Sequence, residues 1–375
     1  MKLGDFEFNL RELSGSLGDL GTLFPLAVGY VTLCGLHPAG LLVTMGLMNI
    51  ATGLIYRLPM PVEPMKVIAV TAIAQRWPPS LVYGAAFGAG VVWLVLSVSG
   101  VVRALARLTP PGVAAGLQLA LGFLLARTGL ALALGNWPLA LVALGMILGL
   151  RRNRQAPAAL LLVGLGLGVA AARGELCAGL RWGFALPSLT GFTLAEVWQG
   201  MVLAGFAQVL LTLSNAVIAT AALIERYWPG RRVPEEKLGL NMGVANLVIP
   251  FFGGMPLCHG AGGLAGQYFF GARTGGANIM EGLLEVFLGL FLAGSVAYIF
   301  GVFPTGIVGA MMLVVGVELA RFGLRLRGSE LALAAVTAAV ALAVNMAAGF
   351  GAGLVAGHLF RRWGRPGPGL APPAR

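Results

Sequence analysis

The most informative segment of this sequence reads Leu58-Pro59-Met60-Pro61-Val62-Glu63-Pro64-Met65-Lys66. Its prolines keep the chain extended, because proline fixes its own φ and restrains the residue before it. Pro64 then suits the first turn of a helix, where its missing N–H is no loss. We therefore predict an extended segment that leads into a helix. The free N–H groups and positive dipole end of such a helix form a ready anion site.

The helix that follows is predicted as a short third membrane span over residues 64–75. Glu63 and Lys66 would lie at membrane depth, where ionisable groups are costly and typical of function. The alternative is a proline-kinked loop in which these two side chains pair for a structural reason. We favour an anion site that uses Glu63, Pro64, Met65 and Lys66.

A second block opens the short tenth span and reads Phe251-Phe252-Gly253-Gly254-Met255-Pro256-Leu257-Cys258-His259-Gly260-Ala261-Gly262-Gly263-Leu264-Ala265-Gly266. Its glycines let a ligand approach main-chain N–H groups closely. Two half-helix N-termini that face each other could hold an anion, and we expect the second to use His259, Gly260, Ala261 and Gly262. The alternative is tight helix packing through small residues. That is our interpretation of the separate run Gly164-Leu165-Gly166-Leu167-Gly168.

Both blocks lie in a chain whose composition requires lipid around it. Of its 375 residues, 58% are hydrophobic and only 10% are charged, whereas a soluble domain carries about 25% charged residues. A span and its connection use roughly 25 residues, so the length allows about fourteen spans. A soluble enzyme and a nucleic-acid-binding module are excluded. We expect an all-α polytopic membrane protein surrounded by the lipid bilayer.

The apolar runs divide into seven spans plus seven, and the third span of each half is short. An odd number of spans per half places the halves in opposite orientations. Paired short segments of this kind are typical of a transporter with an inverted repeat. We predict a first repeat over residues 1–190 (spans 1–7), a second over residues 191–362 (spans 8–14) and a short cytoplasmic tail over residues 363–375.

The net charge of +11 is concentrated in short arginine clusters between apolar runs. The clusters are Arg103/Arg107, Arg151/Arg152/Arg154, Arg231/Arg232, Arg321/Arg325/Arg327 and Arg361/Arg362. Such clusters mark cytoplasmic loops, and their alternation favours an even number of spans. We expect a multi-pass protein of the inner (plasma) membrane with both termini cytoplasmic.

The first and eighth spans carry further polar side chains. Asp19 and Thr22 lie in the first, and Gln208 and Asn215 lie in the eighth. An unpaired Asp in lipid is costly, so Asp19 should face protein, water or substrate. It could be a proton carrier, a hydrogen-bond partner of the broken helices or a structural group. We expect all four residues to contribute to a substrate site.

Catalytic signatures are absent from the sequence, which has no GxSxG, HExxH or P-loop lysine motif. The three cysteines and three histidines are scattered, so we expect no metal site and no cofactor. Glu281 and Glu285 lie one helical turn apart in the eleventh span, and Arg273 is their expected partner. No enzyme activity is predicted.

Three blocks resemble the signatures of the molybdate transporter family, a branch related to the SulP sulfate permeases. They are residues 12–22, 59–66 and 251–263, and the third is also similar to SulP proteins through Gly271-Ala272-Arg273-Thr274. The likeness spans about residues 10 to 320. It implies the seven-plus-seven fold shared with nucleobase permeases. In that fold a core domain (spans 1–4 and 8–11) moves against a gate domain (spans 5–7 and 12–14).

The sequence departs from the SulP pattern in two respects. SulP proteins usually append a STAS domain, and we expect none after Arg361. Many relatives carry a carboxylate in the eighth span, where Ser214 and Asn215 stand here. Sodium or proton coupling by that route therefore has no carboxylate to use.

The resemblance implies a secondary active transporter that takes up a tetrahedral oxyanion, molybdate, across the inner membrane by alternating access. Main-chain N–H groups after Pro64 and around residues 259–262 would hold the dianion, and Lys66 would add positive potential. Protons could be co-transported, and the working unit could be a homodimer. A sulfate or tungstate transporter on the same scaffold is the alternative, and an anion channel is the second alternative.

Overall fold

The computed structural model describes residues 2–150, 158–175, 179, 181–323, 326–344 and 346–363, and most of them are helical. Several predicted features lie outside the described residues. They are the arginines Arg151, Arg152, Arg154 and Arg325 and all of the predicted tail except Trp363.

The first half of the chain is helical after an amino-terminal hairpin in which β1 (Lys2–Leu3) pairs with β2 (Phe6–Glu7). A 3₁₀ turn over Leu17–Asp19 joins the first two helices. The helices are α1 (Leu10–Ser16), α2 (Leu20–Thr32), α3 (Pro38–Tyr56), α4 (Lys66–Gln75), α5 (Pro79–Val98), α6 (Val101–Leu108), α7 (Pro111–Gly135), α8 (Trp137–Leu150) and α9 (Ala158–Ala172). Prolines begin α3, α5 and α7, where a missing N–H is harmless.

The second half is also helical. Its helices are α10 (Leu194–Gly200), α11 (Phe206–Thr212), α12 (Thr220–Tyr227), α13 (Glu235–Val248), α14 (Ala261–Phe270), α15 (Gly276–Phe291), α16 (Val296–Val302), α17 (Thr305–Gly323), α18 (Gly328–Ala343) and α19 (Met346–Trp363). Two π-helical turns, Met201–Gly205 and Leu213–Ala219, make residues 194–227 one continuous helix. Short 3₁₀ turns follow α13 (Ile249–Phe252) and α15 (Ala293–Ser295).

Four helical segments of the described residues are long and apolar enough to cross a membrane. They are Pro38–Tyr56, Pro79–Val98, Pro111–Gly135 and Gln208–Tyr227. Shorter apolar helices accompany them in both halves of the chain. Large apolar side chains point outward from several helices, which suits contact with lipid. The architecture is that of a multi-pass helical membrane protein.

A second strand pair lies inside the helical protein, and the all-α prediction missed it. β3 (Glu63–Pro64) and β4 (Leu257–Cys258) are buried and pair antiparallel, with Glu63 opposite Cys258. Prolines keep the segment before each short helix extended, so that it does not continue the helix. The two extended segments therefore bond to each other, because buried main-chain groups need partners.

Glycines let the long helices pack with their main chains almost in contact. Helices α3 and α15 cross at Gly46 and Gly282, and α7 and α17 cross at Gly129 and Gly309. A Cβ atom at any of these glycines would clash with main-chain atoms of the opposite helix. Small residues at crossings are typical of membrane helices, whose association depends on close van der Waals packing.

The same packing interpretation is wrong for part of the run of alternating glycines in α9. A Cβ at Gly166 would meet the ring of Phe303, but Gly164 and Gly168 have open space there. Residues four apart on a helix share a face, and the residue between them points elsewhere. Of these three glycines, only Gly166 therefore faces a packed neighbour, the ring of Phe303.

Candidate anion-binding site

Helices α4 and α14 both begin at the buried strand pair. Met65 caps α4, and its N–H donates to the main-chain oxygen of Pro256 at 2.9 Å. Gly260 caps α14, whose first residue is Ala261. Each helix has only ten residues, which agrees with the prediction that the third and tenth spans are short. Pairing of β3 with β4 thus brings two helix N-termini together inside the protein.

Two asparagines hold the extended segments that precede these helices. Asn246 in α13 bonds both main-chain groups of Leu257, at 2.6 and 2.9 Å. Asn278 in α15 bonds both main-chain groups of Met60, each at 2.7 Å. The sequence analysis missed both residues, although an Asn within an apolar span signals a buried polar contact.

The carboxylate of Glu63 lies at the start of α14. Its side chain is 1% exposed and forms an ion pair with Lys66, with Nζ 2.7 Å from Oε2. Cβ atoms built at Gly260 and Gly263 would collide with its two carboxylate oxygens. Glu63 belongs to the strand before α4, yet its negative charge occupies the positive end of the opposite helix, α14.

The start of α4 receives a different acceptor. The Val67 N–H donates to Gln208 Oε1 at 2.7 Å, and Gln208 Nε2 donates to Thr212 Oγ1 at 2.8 Å. Gln208 therefore joins the eighth span to the start of α4. A side-chain oxygen thus bonds an N–H at the start of α4, and the Glu63 carboxylate lies against the start of α14. The two helix ends therefore have the chemistry to hold oxyanion oxygens.

Asn215 lies seven residues beyond Gln208, within the π-helical turn Leu213–Ala219 of the eighth span. Its side chain is buried, and its main-chain oxygen accepts a bond of 3.0 Å from Thr220 Oγ1. The turn over Leu213–Ala219 was not predicted, because one inserted residue hardly changes an apolar pattern. Such π turns occur frequently at functional sites.

Asp19 is placed beside α14 rather than at its N-terminus. Its Oδ2 accepts from Gln267 Nε2 at 3.3 Å, and the same nitrogen donates to Glu281 Oε2 at 3.0 Å. Gln267 thus holds the carboxyl groups of Asp19 and Glu281 side by side in the buried interior.

The expected pairing of Arg273 with the glutamates of the eleventh span is wrong. Arg273 donates to the main-chain oxygens of Tyr268 and Ala272, at 2.6 and 2.7 Å. Glu285 accepts instead from Asn49 Nδ2 at 2.8 Å, and Glu281 accepts from Gln267. Amide side chains on neighbouring helices each bond one oxygen of these two glutamates, while Arg273 lies beyond the end of α14.

The remaining predicted residues lie around the strand pair, with one exception. His259 is fully buried, and its Nδ1 is 3.1 Å from the main-chain oxygen of Pro61. Its ring packs edge-on against Tyr56 at 5.7 Å between centroids. The prediction that Pro64 lies in the first turn of the short helix is wrong: Pro64 belongs to β3 and α4 begins at Lys66. Met65, Gly260, Ala261 and Gly262 lie at the two helix starts. Thr22 is in α2, and its side chain lies outside the described part of the structure.

A cavity of about 650 Å³ lies between α7 and the end of the eighth span. Its walls include Gln118 on α7, Ile218 and Ala222 on the eighth span, and the arginines Arg226 and Arg232. Ile218 follows Asn215 by one turn. The cavity therefore adjoins the part of the eighth span that continues from the site.

Known proteins match most of this chain in sequence. A family model described as "Molybdate transporter of MFS superfamily" matches residues 11–125 and 200–319. Molybdate transporter 1 of Arabidopsis thaliana is 31% identical over 365 residues, which cover 84% of this chain and 80% of that protein. Molybdate transporter 1 of Chlamydomonas reinhardtii is 30% identical over 430 residues, covering 82% of this chain and 83% of that protein.

Solved structures share the fold at low sequence identity. The transmembrane domain of the cyanobacterial bicarbonate transporter BicA superposes with a TM-score of 0.60 at 16% identity, covering 92% of this chain and 96% of that one. Murine Slc26a9, an anion transporter in the inward-facing state, gives a TM-score of 0.63 at 14% identity, covering 97% and 69%. These likenesses show a transmembrane fold of the SLC26 type.

Proposed function

The chain belongs to the molybdate transporter family, and from that premise we propose that it takes up molybdate across the inner membrane as a secondary active transporter. Its relatives are transporters rather than enzymes. One observation carries the proposal. Two ten-residue helices begin at one buried strand pair, with Lys66 at the start of one of them.

A tetrahedral dianion suits the two helix ends because four oxygens can accept from several N–H groups at once. In our proposal the oxyanion bonds main-chain N–H groups of α4 and α14, and Lys66 adds positive charge. Gln208 and Asn215 line the side formed by the eighth span. Asp19 and Thr22 border the site from the first span, and His259 fixes the strand from which α14 begins.

We propose fourteen spans in two inverted repeats, residues 1–190 and 191–362, with both termini cytoplasmic. The pattern of helix packing supports this arrangement. The second span (α3) packs on the eleventh (α15), and the fourth (α5) packs on the ninth (α13). In two repeats of seven spans, the second span corresponds to the ninth and the fourth to the eleventh. The two packed pairs are therefore equivalent under exchange of the repeats. The third and tenth spans, which would exchange with each other, meet at the strand pair.

Transport by alternating access would move spans 1–4 and 8–11 against spans 5–7 and 12–14. The cavity between α7, the fifth span, and the eighth span supports this division, because it lies between the two groups. Arg232 in its wall belongs to a predicted cytoplasmic cluster. The cavity is therefore our candidate for the cytoplasmic route to the site.

Co-transport of protons would explain uptake against the membrane potential. A dianion that enters a negative cell works against roughly 2.3 kcal/mol per charge per 100 mV. Asp19 and Glu63 are our candidate proton carriers, because a carboxylate beside a bound dianion gains a proton more readily. The position of Asp19 supports this assignment, because Gln267 bonds both Asp19 and Glu281 and so holds two buried carboxyl groups side by side.

Uptake by the purified chain in liposomes tests the proposed function. We expect saturable molybdate uptake that tungstate inhibits, that sulfate inhibits only at much higher concentration, and that uracil leaves unchanged. Counterflow of labelled molybdate separates a carrier from an anion channel, because only a carrier exchanges substrate through one site. Preferential inhibition by sulfate or uracil would show that the substrate assignment is wrong.

A further inference from the structure

The negative charge of Glu63 lies where the proposed oxyanion would bind. Its carboxylate contacts the positions that Cβ atoms would take at Gly260 and Gly263, and Lys66 Nζ is 2.7 Å away. The Glu63 carboxylate is thus already the anion that contacts both the positive end of α14 and the ammonium group of Lys66.

A second anion cannot bind there while Glu63 stays in place. The first N–H groups of α14 lack partners within the helix and offer one small concave surface. Two negative charges in contact repel strongly in a buried site, where water screens them little. The Glu63 carboxylate and a bound dianion therefore cannot occupy the start of α14 at the same time.

We propose that Glu63 is a tethered competitor of the substrate, which neutralises the empty site and leaves α14 when an oxyanion binds. This inference rests on the proposed function, because it takes the helix ends as the substrate site. An empty carrier must change conformation without substrate, and an unpaired buried cation would oppose that step. Glu63 supplies the missing negative charge.

The exposure of the ion pair indicates where the exchange begins. The side chain of Lys66 is 24% exposed, whereas that of Glu63 is 1% exposed. An incoming anion therefore meets the ammonium group first and then displaces the carboxylate behind it. The same competition lowers the affinity for substrate, which favours release on the far side of the membrane.

The affinity of purified full-length protein for tungstate and molybdate tests the proposal. Glu63→Gln keeps the shape of the side chain and removes its charge. We expect it to lower the Kd at least about tenfold, because the substrate no longer has a charged competitor. Glu285→Gln is the matched control, since Glu285 is equally buried but bonds Asn49; its Kd should stay within about twofold of the wild type.

Glu63→Asp provides a second variant in case Glu63→Gln does not fold. It keeps the charge and withdraws the carboxylate from α14 by one methylene group, so binding should be at least about threefold tighter than in the wild type. Unchanged or weaker binding in the folded Glu63 variants overturns the competition but leaves the proposed function standing. Absence of oxyanion binding in the wild type and in every variant overturns both.

A crystal structure with tungstate separates displacement from simple repulsion between charges. The anomalous signal of tungsten should lie at the first turn of α14, with the Glu63 side chain turned away from Gly260 and Gly263. Tungsten bound elsewhere, or bound while Glu63 still contacts both glycines, would show that the carboxylate does not compete for this position.

Discussion

Asn246 and Asn278 show how single side chains make an extended segment stable inside a membrane protein. Each bonds both main-chain groups of one residue, Leu257 or Met60, with distances between 2.6 and 2.9 Å. A main-chain group in lipid has no water as a substitute partner. The shape of the site therefore depends on two residues that the proposed mechanism does not require to touch the substrate.

Replacement of Asn246 by Leu should destabilise the protein, because it leaves both main-chain groups of Leu257 without partners. A buried unsatisfied group costs about 1–3 kcal/mol, so two such groups should lower the free energy of unfolding by about 2–6 kcal/mol. Thermal denaturation in detergent measures it. Val248→Ala, at a half-exposed position of the same helix, should change stability by less than about 0.5 kcal/mol. Equal melting temperatures for both variants would contradict the assigned role of Asn246.

The residues around Glu63 show which individual side-chain contacts could be predicted from the sequence. The ion pair of Glu63 with Lys66 belonged to the alternative interpretation of this segment, and the structure contains it. The helix on which the carboxylate lies could not be predicted, because Gly260 and Gly263 are distant in sequence. Glu281 was assigned the wrong partner for a similar reason, since Gln267 and Asp19 approach it only in the folded protein.

Among the elements, the short helices were predictable and their junction was not. Proline and glycine patterns act locally, so they indicated α4 and α14 from the sequence alone. Pairing of β3 with β4 joins the two halves of the chain, and two-residue strands have no periodicity of their own. The π turns of the eighth span were also missed, because they depend on packing rather than composition.

The docking of α1 against the start of α15 makes stability depend on pH. Glu12, which precedes the first span, accepts main-chain bonds from Arg273 and Thr274 at 3.0 and 3.2 Å. Burial raises the pKa of its carboxyl from the ordinary value of 4.5 to about 7. The folded protein therefore holds a proton that the unfolded chain releases, and this contribution to stability is lost as pH rises through 7.

Replacement of Glu12 by Gln should remove that pH dependence. We expect the melting temperature of the wild type to fall as pH rises from about 5 to about 8 by more than that of Glu12→Gln. Thermal denaturation across this range measures the difference. If the melting temperatures of the two proteins change equally with pH, Glu12 binds the same number of protons in the folded and unfolded states.

For the whole molecule, the proposed coupling links the carboxylates of the site to the direction of transport. An imposed proton gradient, acidic outside, should drive accumulation of molybdate in liposomes, and uptake should rise as the external pH falls. Asp19→Asn and Glu63→Gln should each flatten this dependence, because each removes a group that carries a proton with the anion. If both variants keep the wild-type profile and the gradient drives no accumulation, these carboxylates are structural.

The claim that the protein carries an oxyanion at the start of α14 is tested most directly by molybdate counterflow in Gly260→Val. Gly260 has φ −156° and ψ 133°, an extended conformation that valine adopts readily, so the added side chain acts by filling the site. Gly164→Val is the matched control, because open space surrounds its Cβ position. The account predicts that Gly260→Val folds but loses counterflow while Gly164→Val keeps the wild-type rate. Counterflow at the wild-type rate in Gly260→Val would contradict it.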